Sequence, residues 1–201
     1  NGAFDYALQQ EANGNENYIK SLDLLDQSKV TAVLSQLNIA QNGVSADDLY
    51  YGSKLPFAYN YVDKNTDVTH DNDTQSEHGS HVAGIAAANK YVPQTDGDET
   101  TYVSALDTVK TQGVAPEAQL LVMKVFGSNG GAFDSDYMAA IEDAIVLGAD
   151  SINLSLGSSY PGPSKYTAYM DADTDPVPVY QAILDSLASK DAVVSISAGN
   201  S

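Results

Sequence analysis

Cysteine is absent from this chain of 201 residues, and positive charge is scarce. Without cysteine the chain has no disulfides and no thiolate metal ligands, although many exported bacterial proteins also lack cysteine, so the compartment stays open. The 9 Lys and Arg residues stand against 27 Asp and Glu, which gives a net charge of −18. That charge opposes binding to nucleic-acid phosphates and to anionic lipid surfaces. We therefore expect no nucleic-acid partner.

Long apolar runs are also missing. No stretch approaches the roughly 18 apolar residues that a membrane-spanning helix needs, so we expect no direct membrane insertion. The first residues, Asn1–Asp5, lack the basic start and apolar centre of a signal peptide, so an exported protein would carry its targeting segment outside this sequence. Hydrophobic residues make up 43% of the chain, which is enough for one well-buried core.

The spacing of apolar residues predicts alternating helices and strands. The predicted helices span residues 26–37, 78–89, 135–147 and 180–189, and the predicted strands span residues 57–62, 119–126, 151–156 and 192–197. Polar segments at 63–77, 90–113 and 157–178 are predicted loops or inserts. Gly148 is a plausible stop for the third helix. The second helix has a small apolar face of Val82, Ile85 and Ala86, which suits tight burial against a sheet.

The order of these elements predicts the fold class. Three strands separated by two helices form successive right-handed crossovers, which give a parallel sheet covered by helices. We therefore predict an α/β fold in which a mostly parallel, twisted sheet lies between two layers of helices. No break in composition marks a second domain, so residues 1–201 are predicted to be an incomplete part of a single domain.

Two short motifs carry the chemistry. H-G-S-H-V-A-G runs from His78 to Gly84, and S-A-G-N runs from Ser197 to Asn200 after an apolar strand. Small residues let other backbones approach an imidazole closely, and the final asparagine places a carboxamide donor at a strand end. Both motifs, in this order, resemble those of subtilisin-like serine proteases. The resemblance implies that His78 is the general base, that Asn200 donates to the oxyanion, and that residues 1–201 are the N-terminal part of the catalytic domain.

Two further segments look like motifs of the same family. They are G-V-A-P-E-A-Q-L at 113–120 and S-I-N-L-S-L-G at 151–157. Family members bind a protein or peptide substrate as an extended strand between two main-chain segments. By their place in the motifs, these substrate-binding segments are Gly130, Gly131 and Ala132, and Ser155, Leu156 and Gly157. From the residues alone, the first segment is equally well an ordinary turn between a strand and a helix.

The resemblance also shows what this sequence lacks. The family uses Asp, His and Ser in that order, and the opening Asn1–Phe4 would fit if an aspartate immediately preceded it. The nucleophile motif G-T-S-M-A does not occur here, and Ser201 does not match it. The parent protein is thus expected to be a serine endopeptidase, and the isolated chain to be nearly inert.

Long inserts near residues 26–60, 90–112 and 158–178 distinguish the chain from compact secreted proteases. Their placement looks more like the large lactocepin-type cell-envelope proteinases of Gram-positive bacteria. The resemblance implies an extracellular or cell-wall-attached protein.

The histidines and the acidic loops of the sequence bear on metal binding. His78 and His81 lack the Glu and the spacing of the zinc motif H-E-x-x-H, so zinc is not expected. Segments 63–67 and 171–175 begin like calcium loops but lack the glycine and glutamate that an EF-hand needs, which favours solvated loops. No cofactor is predicted, although calcium elsewhere in the full-length enzyme stays open.

Two other functions are compatible with parts of this sequence. A surface binding or adhesion module could keep this fold without its chemistry, and the flanking sequence would decide the matter through an aspartate before residue 1 and a downstream G-T-S-x-A. A nucleotide-binding domain could use Gly127–Gly131 as a phosphate loop. That loop lacks both G-x-G-x-x-G and a P-loop lysine, so we do not favour it.

Overall fold

The computed structural model describes residues 2–71, 77–130, 132–156 and 185–197. The helices in this part are α1 (Gly2–Ala12), α2 (Glu16–Ser21), α3 (Gln27–Val33), α4 (Ala46–Leu49), α5 (His78–Ala87), α6 (Ala105–Thr108) and α7 (Asp134–Val146), with 3₁₀ turns at Leu34–Gln36 and Asn38–Asn42. The strands are β1 (Phe57–Asn60), β2 (Tyr91–Asp96), β3 (Glu99–Ser104), β4 (Leu121–Lys124), β5 (Ser151–Leu154) and β6 (Val193–Ile196). Among these described elements, no helix is long and apolar enough to cross a membrane.

Two of the strand pairs are parallel, which confirms the α/β class. β1 pairs with β4 so that Phe57 lies opposite Leu121, and β5 pairs with β6 so that Ser151 lies opposite Val193. Within the described residues the strands form separate two-stranded sheets, in which β4 lies beside β1, as suits an incomplete domain. Apolar periodicity identifies a strand, but it does not specify which neighbour the strand pairs with.

Local signals set the ends of the predicted helices. The Asp26 side chain accepts from the backbone N–H of Lys29 at 2.9 Å and begins α3, as a helix N-cap should. Gly148 ends α7 with a φ of +81°. Its N–H donates to the Ile145 carbonyl at 3.1 Å, and the N–H of Ala149 donates to the Ala144 carbonyl at 2.9 Å. These two bonds form a Schellman cap and confirm the predicted stop.

Two hydrophobic clusters lie on either side of α7. One joins α3, the 3₁₀ turns, α4 and β1, and its buried residues include Val30, Leu37, Ile39, Leu49, Phe57 and Tyr59. The other joins α7 to the second parallel pair through Ile141, Leu154 and Leu187. Val30 of α3 and Ile141 of α7 thus face the core. Of the predicted helix at 180–189, only residues from 185 onward are described, and residues 180–184 lie outside them.

A buried polar group ties the first cluster to α7. The Asp143 carboxylate is fully buried and accepts from the Asn38 N–H at 2.6 Å and from the Tyr61 hydroxyl at 2.9 Å. Burial raises the pKa of the Asp143 carboxyl, while the hydrogen bonds from Asn38 and Tyr61 lower it. Burial, followed by the charge of Asp143, raises the pKa of the Tyr61 hydroxyl. Both oxygens of the Asp143 carboxylate therefore accept a hydrogen bond, as a buried charge requires.

The predicted apolar face of α5 is not buried against a sheet. Ile85 is 70% exposed and Ala86 is exposed, while Val82 is only partly covered. Only Ala87, in the last turn, belongs to the core. The expectation of tight burial along the helix is wrong for the described residues. Helix α5 is anchored by backbone hydrogen bonds at its C-terminal end instead.

The segment 113–115 makes the backbone hydrogen bonds that anchor α5. Its N–H groups donate to the carbonyls of Ala88, Ile85 and Ala86 at 2.9, 3.0 and 2.8 Å. The last carbonyls of a helix have no partner within the helix, so these three bonds satisfy groups that would otherwise need water. The approach requires glycine, since a Cβ on Gly113 would lie 2.3 Å from the Ala88 nitrogen.

The segment predicted as a polar insert contains a hairpin. β2 and β3 pair antiparallel, and Asp96 lies opposite Glu99 across a two-residue turn that begins with Gly97 at a φ of +61°. Glycine in the first position of such a turn is typical of tight hairpins. Helix α1, which the sequence did not predict, packs its Tyr6 ring against Tyr91 and Tyr102 at 4.9 and 5.0 Å between ring centroids.

Lys54 is a second buried charge, and it lies beneath α1. Its ammonium donates to the carbonyls of Pro116 and Ala118 at 2.9 and 2.6 Å and lies 5.0 Å from the centre of the Phe4 ring. Only 7% of the residue is exposed. Burial lowers the pKa of Lys54 to about 8. Lys54 therefore fixes the segment that leads from the α5 cap to β4.

We predict that Gly113→Ala destabilises the protein by about 2–3 kcal/mol, because backbone atoms of Ala87 and Ala88 block the added methyl group. Gly84→Ala is the matched control. A Cβ at Gly84 meets nothing within 4 Å, so alanine should stabilise α5 by about 0.5–1 kcal/mol. Urea denaturation measures both changes, and equal stabilities for the two variants would contradict the cap.

We also predict that stability rises with pH through the titration of Lys54. The folded pKa of about 8 lies below the ordinary value of 10.5, so the unfolded chain binds more protons between these values. The free energy of unfolding should therefore increase by about 2 kcal/mol from pH 7.5 to 9.5, below the range in which tyrosines ionise. Lys54→Met should remove this rise. A Lys54→Met variant with the same pH dependence would refute the assignment.

Candidate active site

His78 is the first residue of α5, and its side chain is exposed. The N–H of His81 donates to the Glu77 carbonyl at 3.0 Å and closes the first turn of the helix. The imidazole Nε2 of His78 lies 2.8 Å from the carbonyl oxygen of Ser155. The structure thus brings the candidate base to the residue that follows β5.

The ends of β5 and β6 lie side by side at this point. The N–H of Ser197 donates to the Leu154 carbonyl at 3.1 Å, and its hydroxyl donates to the Leu156 carbonyl at 2.6 Å. Because the two strands are parallel, their carboxyl ends meet at one edge. Ser155 and Leu156, two of the predicted substrate-binding residues, therefore lie at that edge beside His78. Gly157 and Asn200 lie outside the described residues.

The glycine turn that follows β4 is the other predicted substrate-binding segment. Gly130 has a φ of +80° and donates to the Gly127 carbonyl at 2.9 Å. Ala132 is exposed just before α7, and Gly131 lies outside the described residues. Within the parts of the chain that are described, no hydrogen bond joins Gly130 or Ala132 to His78 or Ser155. The structure brings one of the two predicted segments to the histidine.

The turn is held by the loop that follows β1. The N–H of Ser128 donates to the Asp63 carboxylate at 2.8 Å, and the Asn60 carboxamide donates to it at 2.9 Å. The bond from Ser128, and then that from Asn60, lowers the pKa of the Asp63 carboxyl. A Cβ on Gly127 would lie 2.7 Å from Cγ1 of Val62. This close packing favours glycine at the start of the turn.

Polar side chains of the same loop also form hydrogen bonds within the loop. The Asp67 N–H donates to the Asn65 side chain at 2.9 Å, and the Asp67 carboxylate accepts from the N–H of Thr69 at 3.1 Å. Among the residues with described positions, no group of three or more His, Asp or Glu residues is arranged to hold a metal ion. The loop at 171–175 lies outside them.

No role in the site was predicted for Asn153. Its carboxamide Nδ2 donates to the Ser155 hydroxyl at 2.9 Å. The sequence contains one signal for this contact. Asn153 is an amide between Ile152 and Leu154, at a polar position of a strand in which apolar and polar residues alternate. Leu154 is buried, whereas Ser151 and Asn153 are exposed.

Comparison with known proteins identifies a family. The profile of the Subtilase family matches residues 34–201. A PI-type proteinase from Lactococcus lactis subsp. cremoris is 42% identical over 112 residues, which are 54% of this chain and 5% of that protein. The minor extracellular protease Vpr of Bacillus subtilis is 36% identical over 115 residues, 55% of this chain and 12% of that protein. A C5a peptidase from Streptococcus pyogenes is 40% identical over 84 residues, 41% of this chain and 6% of that protein.

The chain therefore matches only a small part of the length of these relatives. The matched residues are only 5% of the length of the lactococcal protein. The resemblance to cell-envelope proteinases that the inserts and motifs predicted agrees with the identity to proteinases of Lactococcus lactis.

Proposed function

The chain belongs to the subtilase family, and from this premise we propose that it forms part of the catalytic domain of a serine endopeptidase. The observation that supports this most directly is the placement of His78 at the joined ends of β5 and β6, where its imidazole meets the Ser155 carbonyl. Ligand sites of open α/β folds lie at the carboxyl ends of parallel strands. The proposal treats residues 1–201 as the N-terminal part of that single domain.

The proposed reaction is hydrolysis of peptide bonds by a triad of Asp, His and Ser. His78 takes the proton from the serine hydroxyl as the hydroxyl attacks the carbonyl carbon, and then returns it to the leaving amine. Asn200 donates to the oxyanion as the carbonyl becomes tetrahedral. The aspartate and the nucleophilic serine belong to the parent enzyme outside this chain, so we expect the chain by itself to be nearly inert.

The proposed substrate is a protein or peptide bound as an extended strand. In an extended chain, successive carbonyls point to opposite sides. The carbonyls of Leu154 and Leu156 face β6 through Ser197, so that of Ser155 faces the opposite edge. A peptide main chain can add to such an edge through backbone hydrogen bonds. We assign the second wall of this groove to Gly130, Gly131 and Ala132.

We further propose that the parent protein acts outside the cell or at the cell wall of a Gram-positive bacterium. One relative is named an extracellular protease, and the relatives described above come from Lactococcus, Bacillus and Streptococcus. The net charge of −18 keeps the proposed partners to proteins and peptides, because it opposes binding to nucleic acid.

The two histidines of α5 give the sharpest test of the base. In the intact enzyme, His78→Ala should abolish most turnover, since loss of a triad member leaves only binding and oxyanion stabilisation. Loss of the equivalent group in a subtilisin costs about 10⁶-fold in kcat and sets the scale. His81→Ala is the control, because His81 is exposed on the next turn of the same helix and should keep most of the activity. Equal losses in kcat for two folded variants would contradict the assignment.

The oxyanion role of Asn200 is tested by Asn200→Leu, which keeps the size of the side chain and removes its donor. A donor aimed at developing charge stabilises the transition state more than the ground state, so kcat should fall while KM stays nearly unchanged. The expected loss of about 100- to 1,000-fold is that measured for such an asparagine in a subtilisin. A defect confined to KM, or no defect, would show that the oxyanion is bound by other groups.

A further inference from the structure

Two loops leave the same edge of the first parallel pair of strands. Asn60 and Lys124 are the last residues of β1 and β4 and lie opposite each other in the register of the pair. Because parallel strands end at the same edge, the loop after β1 and the glycine turn after β4 start side by side. The turn leads to Gly130 and Ala132, which the proposed function assigns to the second wall of the substrate groove.

The carboxylate of Asp63 joins these two loops. Its Oδ2 accepts from the backbone N–H of Ser128 at 2.8 Å and from Nδ2 of Asn60 at 2.9 Å. The turn closes on itself through the Gly130 N–H, which donates to the Gly127 carbonyl at 2.9 Å. The bond to Ser128 therefore holds a turn that already has its own closing bond.

Asp63 is in turn held from the core by Asn60. Only 2% of Asn60 is exposed, and its Oδ1 accepts from the N–H groups of Val62 and Asp63 at 3.2 and 3.0 Å. Its Nδ2 also donates to the Asp67 carbonyl at 3.1 Å. The side chain of Asn60 thus shapes the start of the loop and fixes the direction in which the Asp63 carboxylate points.

The Asp63 carboxylate has no place in the core that would account for it. The residue is exposed, and an exposed loop position tolerates most substitutions. The bonds from Ser128 first and Asn60 second hold the pKa of its carboxyl below the ordinary value, so the group is ionised at neutral pH. Hydrogen bonds to an ionised acceptor are stronger than neutral ones, which suits a carboxylate that has to hold a neighbouring loop.

We propose that Asp63 is a positioning residue for the substrate-binding segment after β4 and acts through the N–H of Ser128. This rests on the proposed function, in which Gly130 and Ala132 bind the main chain of an extended peptide. A wall that is ordered before the peptide arrives saves the cost of ordering it during binding. Asp63 supplies that order, so its loss weakens the binding of peptide residues that contact the wall and leaves the reacting bond unaffected.

Kinetics of the intact enzyme on substrates of two lengths test the proposal. Asp63→Ala should lower kcat/KM for an octapeptide about tenfold, the effect of one hydrogen bond. The kcat/KM for a single-residue amide should stay unchanged, because this substrate does not reach the wall. Asp63→Asn should keep most of the activity on the octapeptide, since a carboxamide oxygen in the place of Oδ2 accepts from the same two donors. Asp71→Ala is the control, because it removes an exposed carboxylate farther along the same loop.

Three kinetic results would overturn the proposal. The first is an Asp63→Ala variant that matches Asp71→Ala on the octapeptide. The second is an equal loss on both substrates, which would mean that Asp63 stabilises the domain as a whole. The third is an Asp63→Asn variant that loses as much as Asp63→Ala. The failure of the proposed function looks different, since there His78→Ala would retain turnover on both substrates.

A measurement on the unsubstituted protein keeps the proposal testable even if Asp63→Ala does not fold. In amide hydrogen exchange, the N–H of Ser128 should be better protected than that of Asn129, the next residue of the turn, which is exposed. Asp63→Asn should preserve this protection. A Ser128 N–H that exchanges as freely as that of Asn129 would overturn the proposal.

Discussion

The geometry of the candidate site depends on the backbone cap at the C-terminal end of α5. Three N–H groups of residues 113–115 bind the last carbonyls of the helix, and His78 lies at the other end of the same ten residues. At 1.5 Å per residue the helix carries His78 about 15 Å from its anchor. The chain then continues from the cap through the carbonyls that Lys54 binds and enters β4. One set of backbone contacts therefore ties the helix of the histidine to the first parallel pair of strands.

The second requirement of the site is met by the alternation of carbonyls after β5. Ser197 takes the carbonyls on either side of Ser155, so the Ser155 carbonyl has to face the other way. There it lies against the imidazole of His78. This contact does not use the Ser155 side chain, whose hydroxyl accepts from the Asn153 carboxamide. The direction of the Ser155 carbonyl thus depends on the course of the backbone and not on the side chain of the residue.

Sequence patterns predicted the elements better than their neighbours. The helix that ends at Gly148 could be predicted because both its apolar face and its cap are local features. The pairing of β4 with β1 could not, since it depends on contacts across more than sixty positions of the sequence. Helix α1 was missed because its apolar residues include alanines, whose burial leaves a weak pattern. Asp143 was missed because an aspartate in a helix is typical of an exposed face, and its partners Asn38 and Tyr61 are distant in sequence.

The site residues divide in the same way. His78 was identified from its motif, and its contact with Ser155 follows from the fold, which no short pattern encodes. Asn153 lies inside the motif that was recognised, yet its hydrogen bond to the Ser155 hydroxyl becomes visible only in the structure. A motif specifies which residue types occur together. The structure adds which of their atoms meet.

Two glycines that hold the site differ in how firmly the structure requires them. At Gly113 the obstacle to a side chain is the backbone of Ala87 and Ala88 at the end of a helix, and those atoms cannot move without breaking the cap. At Gly127 the nearest obstacle is a methyl group of Val62, which can turn away at the cost of a less favourable rotamer. The turn after β4 can therefore vary more than the α5 cap. A side chain at position 127 would thus cost less stability than one at position 113, in the segment that caps the helix of His78.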